Sequence, residues 1–113
     1  MGGEGNFQAG RGVEDWGGSR QNTRVLAKRI SYRGKVQGVG FRYGVRQIAE
    51  GFAVSGHASN QADGTVEVFL QGDREEVEAM EKEIGESHLA GFIREAKGCE
   101  VEVVSGVKGF QIQ

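Results

Sequence analysis

One glycine-rich stretch of the sequence has the residue types and spacing to hold an anion. Residues 34–42 read GKVQGVGFR, between a segment of alternating apolar residues and a segment with helical periodicity. Glycine adopts positive φ angles and allows close backbone approach, so successive N–H groups of such a loop can converge into an anion-binding nest. The first N–H groups of the following helix add to it. The residues of this candidate phosphate-binding loop are Val36, Gln37, Gly38, Val39, Gly40 and Phe41.

The start of that helix strengthens the interpretation. No Ser, Thr, Asp or Asn stands immediately before Phe41 to accept hydrogen bonds from the first helical N–H groups. Arg42 is a cation at the positive end of the helix, which is unfavourable by about 0.3 to 1 kcal/mol unless an anion lies between them. A glycine-rich connection that binds nothing would show the same glycine spacing, so spacing alone leaves both interpretations open.

Two other phosphate-binding loops fit the sequence poorly. The P-loop needs a Ser or Thr directly after Gly-Lys, and no such run occurs. The dinucleotide-binding motif needs a third glycine where Tyr43 stands.

The remaining reactive side chains do not form a comparable site. His57 and His88 lie far apart in the sequence without neighbouring cysteines or paired carboxylates, so surface or packing roles are favoured over metal binding. Cys99 stands in an alternating segment and is interpreted as a small buried apolar residue rather than a nucleophile. Four acids of residues 75–83 lie off the apolar stripe of their segment, which indicates a solvated helix face rather than a metal site: Glu75, Glu78, Glu81 and Glu83. We therefore expect neither a metal nor a cofactor.

Hydrophobic periodicity predicts the elements that position the loop. Alternation at Leu26, Ile30, Tyr32 and Val36 predicts a first strand. An apolar stripe from Phe41 to Phe52 predicts a helix of about three turns that ends near Gly51. Residues 54–60 and 65–71 read as two strands of a hairpin, joined by a tight turn at residues 62–64.

The second half of the chain predicts a second helix and two more strands. Asp73 and Glu76 have the spacing of a capping box, and the apolar stripe that follows ends near Gly85. Residues 87–97 give no clear pattern, a fourth strand is expected around residues 99–103, and a short one at residues 110–112. The order predicts an α+β fold, the ferredoxin-like β-α-β-β-α-β sandwich, with two helices on one face of an antiparallel sheet.

Composition limits the domain organisation and the setting. A chain of 113 residues builds one core, which we place in residues 24–113. Residues 1–23 contain seven glycines and no hydrophobic period, so we expect a flexible extension. A single cysteine, with no membrane span and no signal peptide, favours the cytoplasm. Half of the basic residues fall in residues 24–46 with no acid among them, which should attract anions.

The loop resembles the signature of the acylphosphatase family, which runs Gly, any residue, Val-Gln-Gly-Val, any residue, Phe-Arg. Residues 60–67, NQADGTVE, are similar to that family's second motif, and residues 109–112, GFQI, to its closing strand. The resemblance spans about residues 28–112. It implies the ferredoxin-like fold, two catalytic side chains at Arg42 and Asn60, and hydrolysis of a small-molecule acyl phosphate without metal or cofactor.

The sequence departs from the family pattern before the asparagine, where residues 56–59 read GHAS instead of Gly-Trp-Val-Arg. We expect altered packing and perturbed turnover there rather than a lost site. Tyr32 also replaces a small aliphatic residue.

Two rival functions remain. A regulatory module that binds phosphate or acyl phosphate without turnover would keep the loop; retention of Asn60 and the end of the chain at the domain favour the enzyme. An RNA-recognition module would need exposed aromatics on the central strands and a basic sheet, whereas residues 65–71 offer only Phe69. We therefore expect a monomer with no nucleic-acid or membrane partner.

Overall fold

The computed structural model describes residues 24–113, and the predicted flexible extension at residues 1–23 lies outside this part of the chain. The elements are β1 (Val25–Gly34), α1 (Phe41–Ala49), β2 (Val54–Asn60), β3 (Val66–Asp73), α2 (Arg74–Glu86), a 3₁₀ helix (His88–Phe92), β4 (Ile93–Val101) and β5 (Phe110–Ile112). Neither α-helix of this part is long and apolar enough to cross a membrane.

The strands form one five-stranded sheet in the order β4-β1-β3-β2-β5. Three of the neighbouring pairs are antiparallel, and β2 and β5 are parallel. The predicted ferredoxin-like α+β class is confirmed. The prediction of a wholly antiparallel sheet was wrong at β5, because the connection from β4 crosses to the opposite edge and returns along β2 in the same direction.

The core lies between one sheet face and the two helices. Every second side chain of β1 and β3 points to the helices and packs against the apolar stripes of α1 and α2. This follows from the repeat of two residues in a strand and of 3.6 residues in a helix. The buried members are Leu26, Ile30, Tyr32, Val45, Val66, Val68, Leu70, Val77, Met80 and Ile84. Lys28 interrupts this parity on β1, and its ammonium reaches Glu81 of α2 at 2.7 Å. Glu81 therefore faces the sheet, although it was predicted to lie on a solvated helix face.

The first strand ends earlier than the apolar alternation predicted. β1 stops at Gly34, and Val36 is buried in the following loop instead. A Cβ at Gly34 would lie 2.3 Å from the backbone oxygen of Phe92, and φ there is 138°. Glycine is therefore required where the 3₁₀ helix passes close to the end of β1.

The predicted capping box is not formed. Asp73 is the N-cap of α2 but makes no side-chain capping hydrogen bond. Glu76 instead accepts a hydrogen bond from the backbone N–H of Ala53 at 2.7 Å, which ties α2 to the start of β2. The helix also continues past Gly85 to Glu86.

The segment without a clear sequence pattern, residues 87–97, contains the 3₁₀ helix and the first half of β4. Strand β4 begins at Ile93 rather than near Cys99, and Val103 lies outside it and is 54% exposed. Cys99 is exposed, so the prediction that it is buried was wrong. Its register partner is Arg29, which lies on the face of β1 that points away from the helices. The apolar alternation at Cys99 is therefore real, but these residues lie on the uncovered face of the sheet.

Candidate active site

The glycine-rich loop is anchored at both ends in the core. Val36 and Phe41 are each 1% exposed, and the Phe41 ring packs on Tyr32 with 5.3 Å between centroids. The backbone between them, at residues 38–40, is exposed. Anchored flanks with an exposed tip hold the loop amides in place without covering them.

The two glycines at the tip are required by conformation rather than by crowding. Gly38 and Gly40 have φ angles of 78° and 77°, which belong to the left-handed region. A Cβ at either position would meet nothing within 4 Å. The glycines at the loop tip are therefore set by the backbone conformation, and their surroundings are uncrowded.

The start of α1 has the uncapped geometry predicted from the sequence. Gly40 is its N-cap and supplies no side-chain hydrogen bond. The N–H of Gly44 donates to the oxygen of Gly40 at 2.9 Å, so the N–H groups of residues 41–43 precede the first intrahelical bond. These donors and the positive end of the helix dipole face the same region as the loop tip.

The side chain of Gln37 ties the loop to the β2–β3 turn. Its Nε2 donates to the backbone oxygens of Gln61 at 2.8 Å and Thr65 at 2.9 Å. The side chain of this predicted loop residue thus holds the hairpin, which leaves only its backbone for a ligand. The turn itself is closed by the N–H of Gln61, which donates to Thr65 O at 2.8 Å.

Arg42 is half-buried, and no Asp or Glu side chain of residues 24–113 forms an ion pair with it. One guanidinium nitrogen donates to the backbone oxygen of Gln113 at 2.8 Å. The guanidinium carbon lies 6.0 Å from the Tyr43 ring centroid, and that of Arg46 lies 5.4 Å from the same ring. This orientation leaves the other donors of the guanidinium available to an anion.

Asn60 closes β2 at the same end of the sheet. It pairs with Val66 in register and shares the parity of Ala58, which is fully buried under the helices. Asn60 therefore belongs to the face that carries α1, and its position at the strand end is exposed.

Two independent contacts bring the loop and Arg42 to Asn60. Gln37 binds the backbone of Gln61, the next residue after Asn60. The N–H of Gln113 donates to Ala58 O at 2.9 Å, so the acceptor of the Arg42 guanidinium also lies beside the last residues of β2. The predicted site residues are thus brought together at one end of the sheet.

The departures from the family pattern at residues 57–59 point away from this site or into the core. His57 stacks on Phe69 on the uncovered sheet face, with 5.5 Å between centroids. Ala58 is buried, and Ser59 Oγ accepts a hydrogen bond from Gln61 Nε2 at 2.8 Å. Their contacts are thus with Phe69, with the core and with Gln61 of the hairpin.

The uncovered face does not offer a platform for nucleic-acid bases at Phe69. That ring is only 3% exposed, because His57 stacks on it and the Arg29 guanidinium lies 5.9 Å from its centroid.

Cys99 lies on this face too, and His88 begins the 3₁₀ helix. In residues 24–113, no three His, Cys, Asp or Glu side chains are grouped so as to hold a metal ion.

The turn after Asn60 holds one carboxylate in its charged form. Asp63 Oδ1 accepts hydrogen bonds from Thr65 Oγ1 at 2.7 Å and from the Thr65 N–H at 3.0 Å. These bonds lower the pKa of Asp63 below its ordinary value. The turn that carries Asn60 and anchors Gln37 is therefore fixed by its own side chains as well as by the strands.

Sequence reasoning missed two of these contacts. Nothing local marks Gln113 as the acceptor for Arg42, although the alternation of residues 110–112 could have placed it at a strand end. The partners of Gln37 lie 24 and 28 residues further along the chain, and only the hairpin register brings them to it.

Comparison with proteins of known families agrees with this geometry. The acylphosphatase family model matches residues 28–112. The chain is 39% identical over 79 residues to an acylphosphatase of Hahella chejuensis, covering 70% of this chain and 84% of that protein. It is 40% identical over 81 residues to an acylphosphatase of Thermococcus kodakarensis, covering 70% and 86%.

Solved structures show the same likeness. The acylphosphatase from Bacillus subtilis superposes with a TM-score of 0.71 at 28% identity, covering 78% of this chain and 98% of that one. Full-length HypF, crystallised with phosphate and nucleotide, superposes with a TM-score of 0.72 at 31% identity. The match includes 84% of this chain and 12% of HypF. A family match over 85 consecutive residues, 28–112, shows that this chain belongs to the acylphosphatase family.

Proposed function

We propose that this chain hydrolyses acyl phosphates to a carboxylate and inorganic phosphate by direct in-line attack of water, with Arg42 and Asn60 as its catalytic residues. Membership of the acylphosphatase family supports the reaction. The observation that supports the residue roles is an anchored loop with an exposed tip, followed by an uncapped helix and an arginine that pairs with no Asp or Glu side chain of residues 24–113.

The chemistry asks little of the leaving group. A carboxylic acid has a pKa near 4, so its carboxylate departs without being protonated. The enzyme must hold the phosphoryl group, stabilise its charge as the bond breaks, and position a water in line. Binding groups with fixed geometry are sufficient for these tasks.

The loop and Arg42 supply the groups that hold the phosphoryl oxygens. Backbone N–H groups of residues 36–41 and the first, uncapped N–H groups of α1 can donate to a phosphoryl group at the exposed loop tip. The Arg42 guanidinium, fixed by its bond to Gln113 O, presents a planar fork that matches two phosphoryl oxygens. Because these donors are in place before the substrate arrives, they stabilise developing charge without reorganising.

Asn60 is assigned to the attacking water. Its amide oxygen can accept a hydrogen bond from that water and so orient it toward phosphorus. The proton passes to a phosphoryl oxygen, which becomes part of the inorganic phosphate released. No side chain has to titrate in this scheme, so kcat should show no steep dependence on an enzyme group near pH 6 to 7.

A phosphate-binding module without turnover is the second candidate. HypF, whose structure was solved in a phosphate- and nucleotide-bound form, shows that a domain of this shape also occurs within a much larger protein. Binding alone needs no water-orienting residue, and the position of Asn60 beside the loop supports the hydrolase instead.

Substitution of Asn60 separates the two. In Asn60→Ala we expect kcat for benzoyl phosphate to fall while competitive inhibition by inorganic phosphate changes little, since the loop and Arg42 remain. Gln111→Ala, an exposed change on the neighbouring strand, is the control. Unchanged kcat in Asn60→Ala would remove this residue from the mechanism.

We further propose that the protein acts as a monomer in a reducing compartment such as the cytoplasm and binds no nucleic acid. The exposed thiol of Cys99 suits a reducing setting, and Phe69 is covered. Light scattering at micromolar concentration tests the oligomeric state, and a mass of twice the chain would contradict it.

A further inference from the structure

A cleft of about 970 Å³ lies beside the first residues of the phosphate loop, between the end of β1 and the start of β4. Three cationic side chains line it, those of Arg33, Lys35 and Arg94, with Glu95 as the single carboxylate. Glu95 is shared between Arg33 at 3.7 Å and Lys97 at 3.5 Å.

The positive charge of this cleft is not balanced by the protein. Among residues 24–113 no carboxylate forms an ion pair with Lys35 or Arg94. Gly91 contributes wall without a side chain, and a Cβ there would meet nothing within 4 Å. Two cations without partners around such a space are suited to an anion.

The sheet order sets the cleft and Asn60 on different sides of β3. β1 and β4 lie on one side of β3, and β2 lies on the other. Neighbouring strands are about 4.8 Å apart, so the ends of β1 and β2 are roughly 10 Å from one another. Lys35 follows β1, and Asn60 ends β2.

In-line displacement connects these two positions. The attacking water and the leaving group lie on opposite sides of the phosphorus atom. With the water at Asn60, the departing carboxylate and the acyl chain attached to it extend toward β1 and β4. This step rests on the proposed function.

We propose that the cleft lined by Arg33, Lys35 and Arg94 binds a second anionic group, a carboxylate or a phosphate, on the acyl part of the substrate. Lys35 and Gly38 are three residues apart, so their Cα atoms are at most about 10 Å from one another. Long basic side chains reach across such a distance with their charged ends in water. The preferred substrates are then acyl phosphates with a second negative charge rather than uncharged acyl chains.

Matched substrates test this inference. Succinyl phosphate ends in a carboxylate and butyryl phosphate ends in a methyl group on a chain of the same length. We expect wild type to have a higher kcat/KM for succinyl phosphate. Lys35→Gln and Arg94→Gln should each lower that value about fivefold, the upper end for an exposed ion pair, with butyryl phosphate changing less than about twofold.

The control is Lys82→Gln, which removes one positive charge from the exposed surface of α2. It should leave the ratio of the two substrates unchanged. A substrate with a terminal phosphate in place of the carboxylate shows which of the two anionic groups is preferred. Equal losses for succinyl and butyryl phosphate in the cleft variants, or no wild-type preference, would overturn the proposal.

A binding measurement keeps the inference separate from turnover. A 2-oxoalkylphosphonate has CH₂ in place of the bridging oxygen and cannot be hydrolysed in the same way. We expect the analogue with a terminal carboxylate to bind more tightly than the uncharged one, and this advantage to be lost in the Lys35→Gln, Arg94→Gln double variant. Failure of all acyl phosphates to turn over would refute the proposed hydrolase, whereas equal affinities of the two phosphonates would refute the cleft.

Discussion

The two hydrogen bonds from Gln37 to the hairpin allow a quantitative prediction. Gln37→Ala removes two hydrogen bonds, to Gln61 O and Thr65 O. Each contributes about 0.5 to 1.5 kcal/mol net. Both oxygens keep another donor, since Gly64 N–H donates to Gln61 O at 3.1 Å and Gln61 N–H to Thr65 O at 2.8 Å. No acceptor is orphaned, so we expect a loss of about 1 to 2 kcal/mol, or roughly 5 to 10 °C in Tm.

Activity should fall by more than stability suggests. Without the tether the loop amides are no longer fixed relative to Asn60, and a displacement of about 1 Å in a catalytic group can cost 100-fold. We expect kcat/KM for benzoyl phosphate to drop about 10- to 100-fold in Gln37→Ala while the protein remains folded. Urea denaturation and steady-state kinetics on the same sample give both numbers.

Gln71→Ala is the matched control. Gln71 also makes two long-range bonds with backbone, donating to Val104 O and accepting from Val104 N–H, each at 2.7 Å, but near the far end of β3. It should lose similar stability with activity nearly unchanged. Gln37→Glu, which turns a carboxylate toward two carbonyl oxygens, should be worse than alanine at pH 7. Wild-type activity in Gln37→Ala, or equal losses in Gln71→Ala, would refute the reasoning.

Other expected outcomes test the packing and the charges. Gly56→Ala should unfold the domain or cost roughly 3 kcal/mol or more by urea denaturation, because the new Cβ would lie 1.7 Å from the backbone oxygen of Phe69; wild-type stability would show that β2 and β3 can move apart. Thr65→Val should raise the pKa of Asp63 toward its ordinary value in an NMR titration, since hydrogen bonds from Thr65 lower it; an unchanged pKa would contradict that cause. Burial raises the pKa of Tyr32. The stability that its protonated form contributes is therefore complete below about pH 10 and is lost above it. Tyr32→Phe should flatten the alkaline fall in Tm, whereas an identical fall in the variant would show that Tyr32 does not cause it.

The parts of the fold with a covered face were predictable from sequence. The stripe of α1 and the two strands of the hairpin each pack one face on the core, so their periodicity matched the structure. The loop was identified from its motif, and its left-handed glycines at residues 38 and 40 fit the conformation that the motif suggested.

The start of the edge strand β4 could not be predicted from the sequence, for a physical reason. β4 is exposed or half-exposed along its whole length, so its residues carry little apolar alternation. Where alternation does occur, at Cys99 and Val101, it faces the side that no helix covers. Apolar alternation in the sequence indicates that one face of a strand is apolar, but it does not indicate which face of the sheet the helices cover.

Contacts set by chain geometry could not be predicted. The sequence spacing of Asp73 and Glu76 fits a capping box, but Ala53 N–H competes for Glu76 and takes it. The tether of Gln37 and the acceptor of Arg42 depend on register between segments distant in sequence. The candidate site was thus predicted as a set of residues, while the contacts that hold it required the structure.

The most direct test of the central claim is hydrolysis of benzoyl phosphate in excess EDTA by the wild type, Arg42→Ala and Arg42→Lys. We expect rapid turnover by the wild type, a loss of about 1,000-fold or more in Arg42→Ala, and little recovery in Arg42→Lys because the planar fork is missing. Wild-type rates in Arg42→Lys, or turnover that disappears with EDTA, would contradict the central claim.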